Sequence, residues 1–444
     1  MKRRDFVKAS VLAGLAAPLT SDAQTNNAPR TVRVGLVGVG SRGLQLLGAL
    51  LKSENVEVKA ICDVDDDRQM RGMKLFTDAG KEKPAGYSKG PEDYKRLVER
   101  NDLDTVITAT PWELHVPVML ATLDAGKYGG TEVPAAVTVD ECWALVEKSE
   151  KTGIPCMMLE NSCFGRPSLA IHNLVRAGLL GEIYHAESGY NHDVRYVKFD
   201  VQKNYGYKDE GKLRWRGEHS VRRDGALYPT HQLGPAALLM NIDRGTRMKH
   251  LVSMSTPQHG MTNYIIERFG KDHPMAKQPF KNGDVNCTLI KLENGNTLTQ
   301  YHDTQSWRPR DDIHRYHGTK GAIARTQSKI FTIDEHWDRK QINEWKWQEL
   351  APYLKKYDHA LWQKYGEEAA KHAHSGSDWM TLHVFLQAVR NKTQTPLTVY
   401  DAAAWSVVAP LSEKSVANDS ERVDFPDFTR GKWKTTPKFE MNIT

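Results

Sequence analysis

The chain has 444 residues, a formal net charge of +6 and 26% charged side chains, with both signs interspersed. That length accommodates two domains with separate cores, and the weak, dispersed positive balance excludes a nucleic-acid-binding stripe. Beyond the first two dozen residues, no stretch is long and apolar enough to cross a bilayer.

Arg3, Arg4, Asp5, Phe6, Val7 and Lys8 read as a twin-arginine export signal. A short apolar region over 9–19 follows, then a small-residue cleavage site at Ser21, Asp22 and Ala23. The apolar stretch is too short to span a membrane, so residues 1–23 are expected to be removed. Removal takes away four basic and two acidic side chains, which lowers the formal charge from +6 to about +4. Residues 24–30 are polar and read as a tether. A chain exported by this route crosses the membrane folded, which places it in the periplasm or outside the cell. The five cysteines (Cys62, Cys142, Cys156, Cys163 and Cys287) form no CxxC pair. Their odd number leaves at least one free thiol, and buried, inert thiols are expected.

Residues 31–160 have the texture of a dinucleotide-binding domain. A strand over 32–37 runs into Gly38-Val39-Gly40-Ser41-Arg42-Gly43, a helix follows over 44–51, and a second strand over 56–62 ends at Asp63. Strand, glycine turn, helix and strand-end acid together form the Rossmann fingerprint. Gly38, Gly40 and Gly43 let the backbone approach a pyrophosphate at a helix N-terminus. Asp63 suits the adenosine ribose hydroxyls and repels a 2′-phosphate, which favours NAD over NADP, although Arg42 could meet a phosphate. The alternation continues with strands over 104–108, 128–131 and 156–159 and helices over 116–124 and 139–151, the last capped by Thr138. This order predicts a parallel sheet covered by helices on both faces. Ligands of such sheets lie at the carboxyl ends of the strands. That rule directs the 111–115 loop with Trp112, Glu113, Leu114 and His115 to the cofactor, along with Glu132-Val133-Pro134 and Glu160-Asn161.

The texture changes after Asn161. A helix over 167–180 precedes strands over 183–190, 285–292 and 297–301, the last two joined by a turn at Asn294-Gly295-Asn296. Residues 161–444 therefore read as an α+β domain on a large, mainly antiparallel sheet, whose edge strands could support a homo-oligomer. Residues 334–376 read as a helical excursion and 377–389 as a helix returning to the body.

Within this half, Tyr228, Pro229, Thr230 and His231 stand at a predicted helix start. Pro229 suits the first turn, and the three-residue spacing lets Tyr228 and His231 face one pocket. The helix N-terminus disfavours imidazolium and suits His231 to act as a general base. On spacing alone, a capped helix start with a buried histidine fits better. Tyr190-Asn191-His192-Asp193 mixes donors and acceptors suited to a sugar, and Arg214-Trp215-Arg216 reads as a clamp or a solvated turn. The closest histidine pairs, His314 with His317 and His372 with His374, have no third ligand at a metal-site spacing, so no metal is expected.

The export signal, the glycine turn, Asp63, Glu132-Val133-Pro134, Tyr190, Tyr228 to His231 and His374-Ser375-Gly376-Ser377-Asp378 resemble glycoside hydrolase family 109, within the larger Gfo/Idh/MocA group. The resemblance covers the whole mature chain. It implies a glycosidase, in the best-known members an α-N-acetylgalactosaminidase, that holds NAD tightly and acts on a glycoside or glycan terminus. Cofactor contacts by this resemblance are Ser41, Arg42, Asp63, Trp112, Glu113, Leu114, His115, Glu132, Val133, Asn161, Tyr228, Pro229, Thr230 and His231. Substrate contacts are Tyr190, Arg216, Tyr228 and His231, with His231, Tyr190 and Tyr228 as the catalytic set. Val133 stands where oxidoreductases of the larger group carry a lysine, which argues against a plain dehydrogenase. Arg310 stands where the glycosidases place a substrate tyrosine, and an arginine there favours a polar or anionic substituent. The implied cycle is oxidation at sugar C3, deprotonation at C2, elimination of the aglycone, hydration and re-reduction. It leaves the cofactor as it began, which suits a compartment without fresh NAD. The alternatives are an exported NAD(P)-dependent sugar oxidoreductase that reduces one sugar while oxidising another, and a non-catalytic sugar-binding relative.

Overall fold

The computed structural model describes residues 29–199, 211–333 and 346–441. The export signal, residues 24–28 of the 24–30 tether and the start of the 334–376 excursion lie outside the described residues.

Six strands form the first sheet: β1 (Val32–Val37), β2 (Val56–Cys62), β3 (Ala85–Tyr87), β4 (Thr105–Thr108), β5 (Tyr128–Thr131) and β6 (Cys156–Met158). Their order is β3-β2-β1-β4-β5-β6, with every neighbour parallel. The near-continuous burial of β1 and β4 fits strands covered on both faces. The helix Ser41–Lys52 turns Leu46, Leu47, Leu50 and Leu51 inward, the apolar stripe of a helix packed on a sheet. Thr138 caps the helix Val139–Thr152 in a reciprocal capping box with Glu141, as its sequence predicts.

Nine strands form the second sheet. They are β7 (Ile183–Asn191), β8 (Met248–Ser255), β9 (Val285–Leu292), β10 (Thr297–Asp303), β11 (Ile313–Gly318), β12 (Gly321–Ala324), β13 (Lys329–Thr332), β14 (Gln348–Glu349) and β15 (Val423–Asp424). The order is β14-β13-β12-β11-β7-β10-β9-β8-β15. β7 pairs with β10 in parallel, and the other neighbours are antiparallel. Within the predicted helical excursion the described part is mixed: β14 precedes the helices Ala351–Lys356 and Ala360–Ala369.

A sequence division at residue 160 follows the chain but not the space. The helix Ser377–Asn391 packs on the first sheet, with the Phe385 ring so close to Gly130 that a Cβ there would lie 3.1 Å from it. Ser406, at the end of the helix Val399–Ser406, accepts a hydrogen bond from the Ala135 amide at 3.0 Å. The C-terminal helices thus complete the cover of the dinucleotide-binding sheet. All five cysteines are free thiols; four are buried as expected, whereas Cys287 is exposed on β9. Burial pushes the Cys62 and Cys156 thiols up to about 12, which keeps them un-ionised and inert.

Candidate active site

A cleft of about 400 Å³ opens where the carboxyl ends of β1, β4 and β5 face Tyr190 on β7 and the start of the helix Thr230–Leu239. Its floor is the glycine turn. Gly38 has φ +87°, and a Cβ there would sit 2.7 Å from the Ala109 backbone. At Gly43 a Cβ would sit 1.9 Å from the Gly38 carbonyl oxygen. Only glycine permits this approach, and it leaves the N-terminus of the helix Ser41–Lys52 open to the cleft. Asp63 follows β2 directly. Its carboxylate accepts the Val39 amide at 2.8 Å and the Asp65 amide at 3.0 Å, which fixes it beside the glycine turn. A backbone cradle, an open helix N-terminus and a strand-end acid fit a dinucleotide.

Arg42 is not free to meet a 2′-phosphate. Its Nε donates to Glu132 Oε1 at 2.7 Å, and its two Nη groups hold Asp378 at 2.6 and 2.9 Å. The guanidinium that sequence offers as a phosphate partner is thus engaged by two carboxylates. Trp112, Leu114, Glu132, Val133 and Asn161 line the cleft as expected. His115 also lines it, but both ring nitrogens face backbone carbonyls, Pro134 at 2.7 Å and Thr110 at 3.0 Å, so the ring braces the loop. Glu113 turns away to His219 at 3.0 Å, which with its other contacts holds the carboxyl down at about 2.

At the other end of the cleft, His231 sits between two partners. Nδ1 lies 2.7 Å from Glu160 Oε1, and Nε2 lies 3.1 Å from the Tyr228 hydroxyl. Glu160 is fully buried. Burial works against its carboxylate, but the charge and hydrogen bond of His231 and the Ser162 amide outweigh this and hold it below the ordinary carboxylate range. A carboxylate can only accept, so Nδ1 donates to Glu160, while Nε2 faces the Tyr228 hydroxyl. The orientation of His231 therefore comes from Glu160, a residue the sequence places at a strand end facing the cofactor. The helix N-terminus invoked from sequence is secondary to this contact. Pro229 caps the helix from αR geometry instead of occupying its first turn, and neither Pro229 nor Thr230 lines the cleft.

Aromatic rings enclose the same end. Tyr228 stacks on Trp112 with centroids 5.7 Å apart, and the Tyr190 ring lies 5.1 Å from Tyr228 and 5.6 Å from His231. The Tyr190 hydroxyl is 3.1 Å from His192 Nδ1. Burial raises both tyrosine pKa values, against the pull of the nearby Arg216 charge. The Arg216 guanidinium lies over Tyr228 at 4.8 Å and Trp112 at 5.2 Å, a cation held by π faces. In the Tyr190–Asp193 stretch only Tyr190 and His192 reach the cleft. Asp193 is engaged by the buried Arg195 at 2.7 and 2.8 Å. Arg310 stands at the margin, 6.0 Å from the Tyr190 ring, and its Nε donates to Asp312 at 2.7 Å. Asp312 answers the charge that sequence reading assigns to a substrate anion. Behind the tyrosines Lys198 is held by Thr304 at 2.8 Å and Gln305 at 2.9 Å, and burial with the Arg216 charge pushes its pKa down to about 7. No motif signals Lys198; Glu160 is directed to the cofactor by the strand-end rule and Asp378 closes the His374–Asp378 motif, but sequence gives neither a role toward His231 or Arg42.

The histidine pairs do not converge. His314 contacts Tyr316 while His317 lies beside His185, and His372 contacts Glu368 while His374 contacts Asp378.

Fold and cleft define an NAD-binding Rossmann protein of the oxidoreductase type, and the family model "Oxidoreductase family, NAD-binding Rossmann fold" matches residues 32–159. A second model, "Glycosyl hydrolase 109, C-terminal domain", matches residues 164–435. The chain belongs to glycosyl hydrolase family 109. A family 109 protein of Stenotrophomonas maltophilia (strain K279a) is 39% identical over 446 residues, covering 98% of this chain and 97% of the relative. An alpha-N-acetylgalactosaminidase of Tannerella forsythia is 39% identical over 413 residues, covering 90% and 87%. Among solved structures, levoglucosan dehydrogenase in complex with NADH and L-sorbose superposes with a TM-score of 0.67 at 18% identity, covering 89% of this chain and 99% of that one. At that identity the likeness is one of fold.

Proposed function

We propose that the chain is an α-N-acetylgalactosaminidase that works with tightly held, recycled NAD. The observation that carries this reading is the character of the cleft. Hydrolysis by acid and base catalysis needs two carboxylates across the glycosidic bond. Among the described residues lining the cleft the only acids are Asp63 and Glu132. Asp63 is held beside the glycine turn, and Glu132 is paired with Arg42. The sugar end instead presents an oriented histidine, two tyrosines and an arginine. The Tannerella forsythia relative supports the choice of sugar.

The glycine turn, Asp63, Trp112 and Glu132 would hold the dinucleotide, which would supply reversible hydride exchange at C3 of the sugar. His231 Nε2 accepts the C3 hydroxyl proton, and Glu160 stabilises the positive ring that results. With C3 at the ketone level the C2 proton becomes acidic, and Tyr190, paired with His192, is placed to handle it. Loss of that proton expels the aglycone from C1, and water adds to the enone at C1 as C2 is reprotonated. Tyr228 holds the His231 ring and the sugar face, and Arg216 supplies hydrogen bonds to sugar oxygens. Val133, buried and apolar, gives no proton carrier where a dehydrogenase of this group would need one.

The decisive experiment uses purified mature protein with no added NAD and p-nitrophenyl α-N-acetylgalactosaminide in deuterated water. Nitrophenol release with deuterium at C2 of the product is expected. Release with protium retained at C2 would argue for direct displacement.

The reading includes export of the folded, loaded chain by the twin-arginine route. Changing Arg3 and Arg4 to lysine should leave the protein in the cytoplasm with its signal uncleaved. Unchanged appearance in the periplasm would remove this part of the proposal.

A further inference from the structure

Four segments far apart in the sequence meet in one ionic cluster beside the dinucleotide cleft. Arg42 enters from the glycine turn, Glu132 from the end of β5, Asn161 from just after β6, and Asp378 from the first turn of the helix Ser377–Asn391. Arg42 grips Asp378 through both Nη groups at 2.6 and 2.9 Å and Glu132 through Nε at 2.7 Å. Asn161 Nδ2 donates to Asp378 Oδ1 at 2.6 Å, and His374 Nδ1 donates to Oδ2 at 2.7 Å. The Asp378 side chain is 2% exposed. Burial works against its charge, but His374 and Arg42 outweigh that and hold it well below the ordinary range. Arg42, Glu132, Asn161 and His374 all line the cleft, whereas Asp378 sits behind them.

Planar guanidinium–carboxylate geometry with every carboxylate oxygen occupied is a strong, directional contact. Here it ties the turn that would cradle the pyrophosphate to a helix from the far end of the chain. The first sheet needs no such tie to form, since its strands and helices are local in sequence.

We infer that the Arg42–Asp378 pair is a latch that retains the dinucleotide, by holding the C-terminal helix and His374 against the glycine turn and so barring the cleft's exit. The inference rests on the proposed use of a trapped NAD. It makes Asp378 and His374 positioning residues: they act on the cofactor through Arg42 and Glu132. Asp378→Asn removes the charge and one arm of the fork. Arg42→Lys keeps the charge and removes the fork. His374→Ala trims a half-exposed side chain and removes one hydrogen bond to Asp378.

The test measures NAD per chain after gel filtration, its dissociation rate, and dependence of turnover on added NAD, with thermal unfolding as the check on folding. The wild-type chain should carry close to one NAD and need none added. Asp378→Asn and Arg42→Lys should lose it roughly 10- to 100-fold faster, the span of a coupling worth 1.4 to 2.8 kcal/mol. They should also elute depleted and recover turnover when NAD is supplied in excess. A residue with only a structural role would lower stability without creating this saturable NAD requirement. Folded variants that keep NAD at the wild-type rate would overturn the latch and leave the proposed chemistry standing. A wild-type chain that emerges without NAD would overturn both.

Discussion

Replacing His231 with alanine is expected to lower turnover by roughly 10³- to 10⁴-fold, the upper range for a general base, while NAD stays bound. The ring touches the sugar end of the cleft, and its loss removes the Nε2 lone pair that takes the C3 hydroxyl proton. It also strips the fully buried Glu160 carboxylate of its 2.7 Å partner, while the Ser162 amide stays at 3.1 Å. A fall in melting temperature should therefore accompany the loss of rate. His231→Asn separates the two effects. Its amide can still donate to Glu160, so stability should largely return, yet it offers no basic nitrogen and turnover should stay low. Nitrophenol release by the alanine variant at a rate near wild type would remove His231 from the mechanism.

Glu160→Gln is expected to lower kcat by roughly 10²- to 10³-fold with little change in KM or bound NAD. The substitution conserves shape, but a neutral amide can offer His231 either an acceptor or a donor. It no longer enforces the Nδ1–H tautomer, and it gives no charge to support the imidazolium. Glu160 is buried beneath the ring and takes no part in lining the cleft, so its effect must pass through His231. The double variant Glu160→Gln, His231→Ala should consequently be little worse than His231→Ala alone. Independent, multiplicative losses would mean that Glu160 acts elsewhere.

The first domain was legible because its signals are local. Strand β1, the glycine turn and Asp63 fall within about thirty residues, and each has a stereochemical reason that holds before any tertiary contact forms. The pairing of Tyr228 with His231 was legible for the same reason, since residues three apart on one helical turn share a face. Spacing could not distinguish a base from a buried histidine, because that depends on what meets Nδ1. The partner, Glu160, lies 71 residues upstream.

Several expected contacts failed through neighbours of this kind. Glu113 is drawn to His219, and Arg310 is answered by Asp312 two residues away. Arg42, readable as a phosphate ligand, is engaged by Asp378 across 336 residues. Residue type predicts what a charged group can bind, and its burial and nearest counter-charge decide what it does bind.

By itself, the sequence determined the alternating dinucleotide-binding unit, the following sheet domain and the residue types available to the site. Those follow from periodicity, backbone stereochemistry and side-chain chemistry, which act over a few residues. Only the tertiary structure decided which nitrogen of His231 meets Glu160, which cations are already paired, and that the C-terminal helices close over the first domain. Those depend on Coulomb and hydrogen-bond contacts that fall off within a few ångströms, between groups whose separation along the chain says nothing of their separation in space.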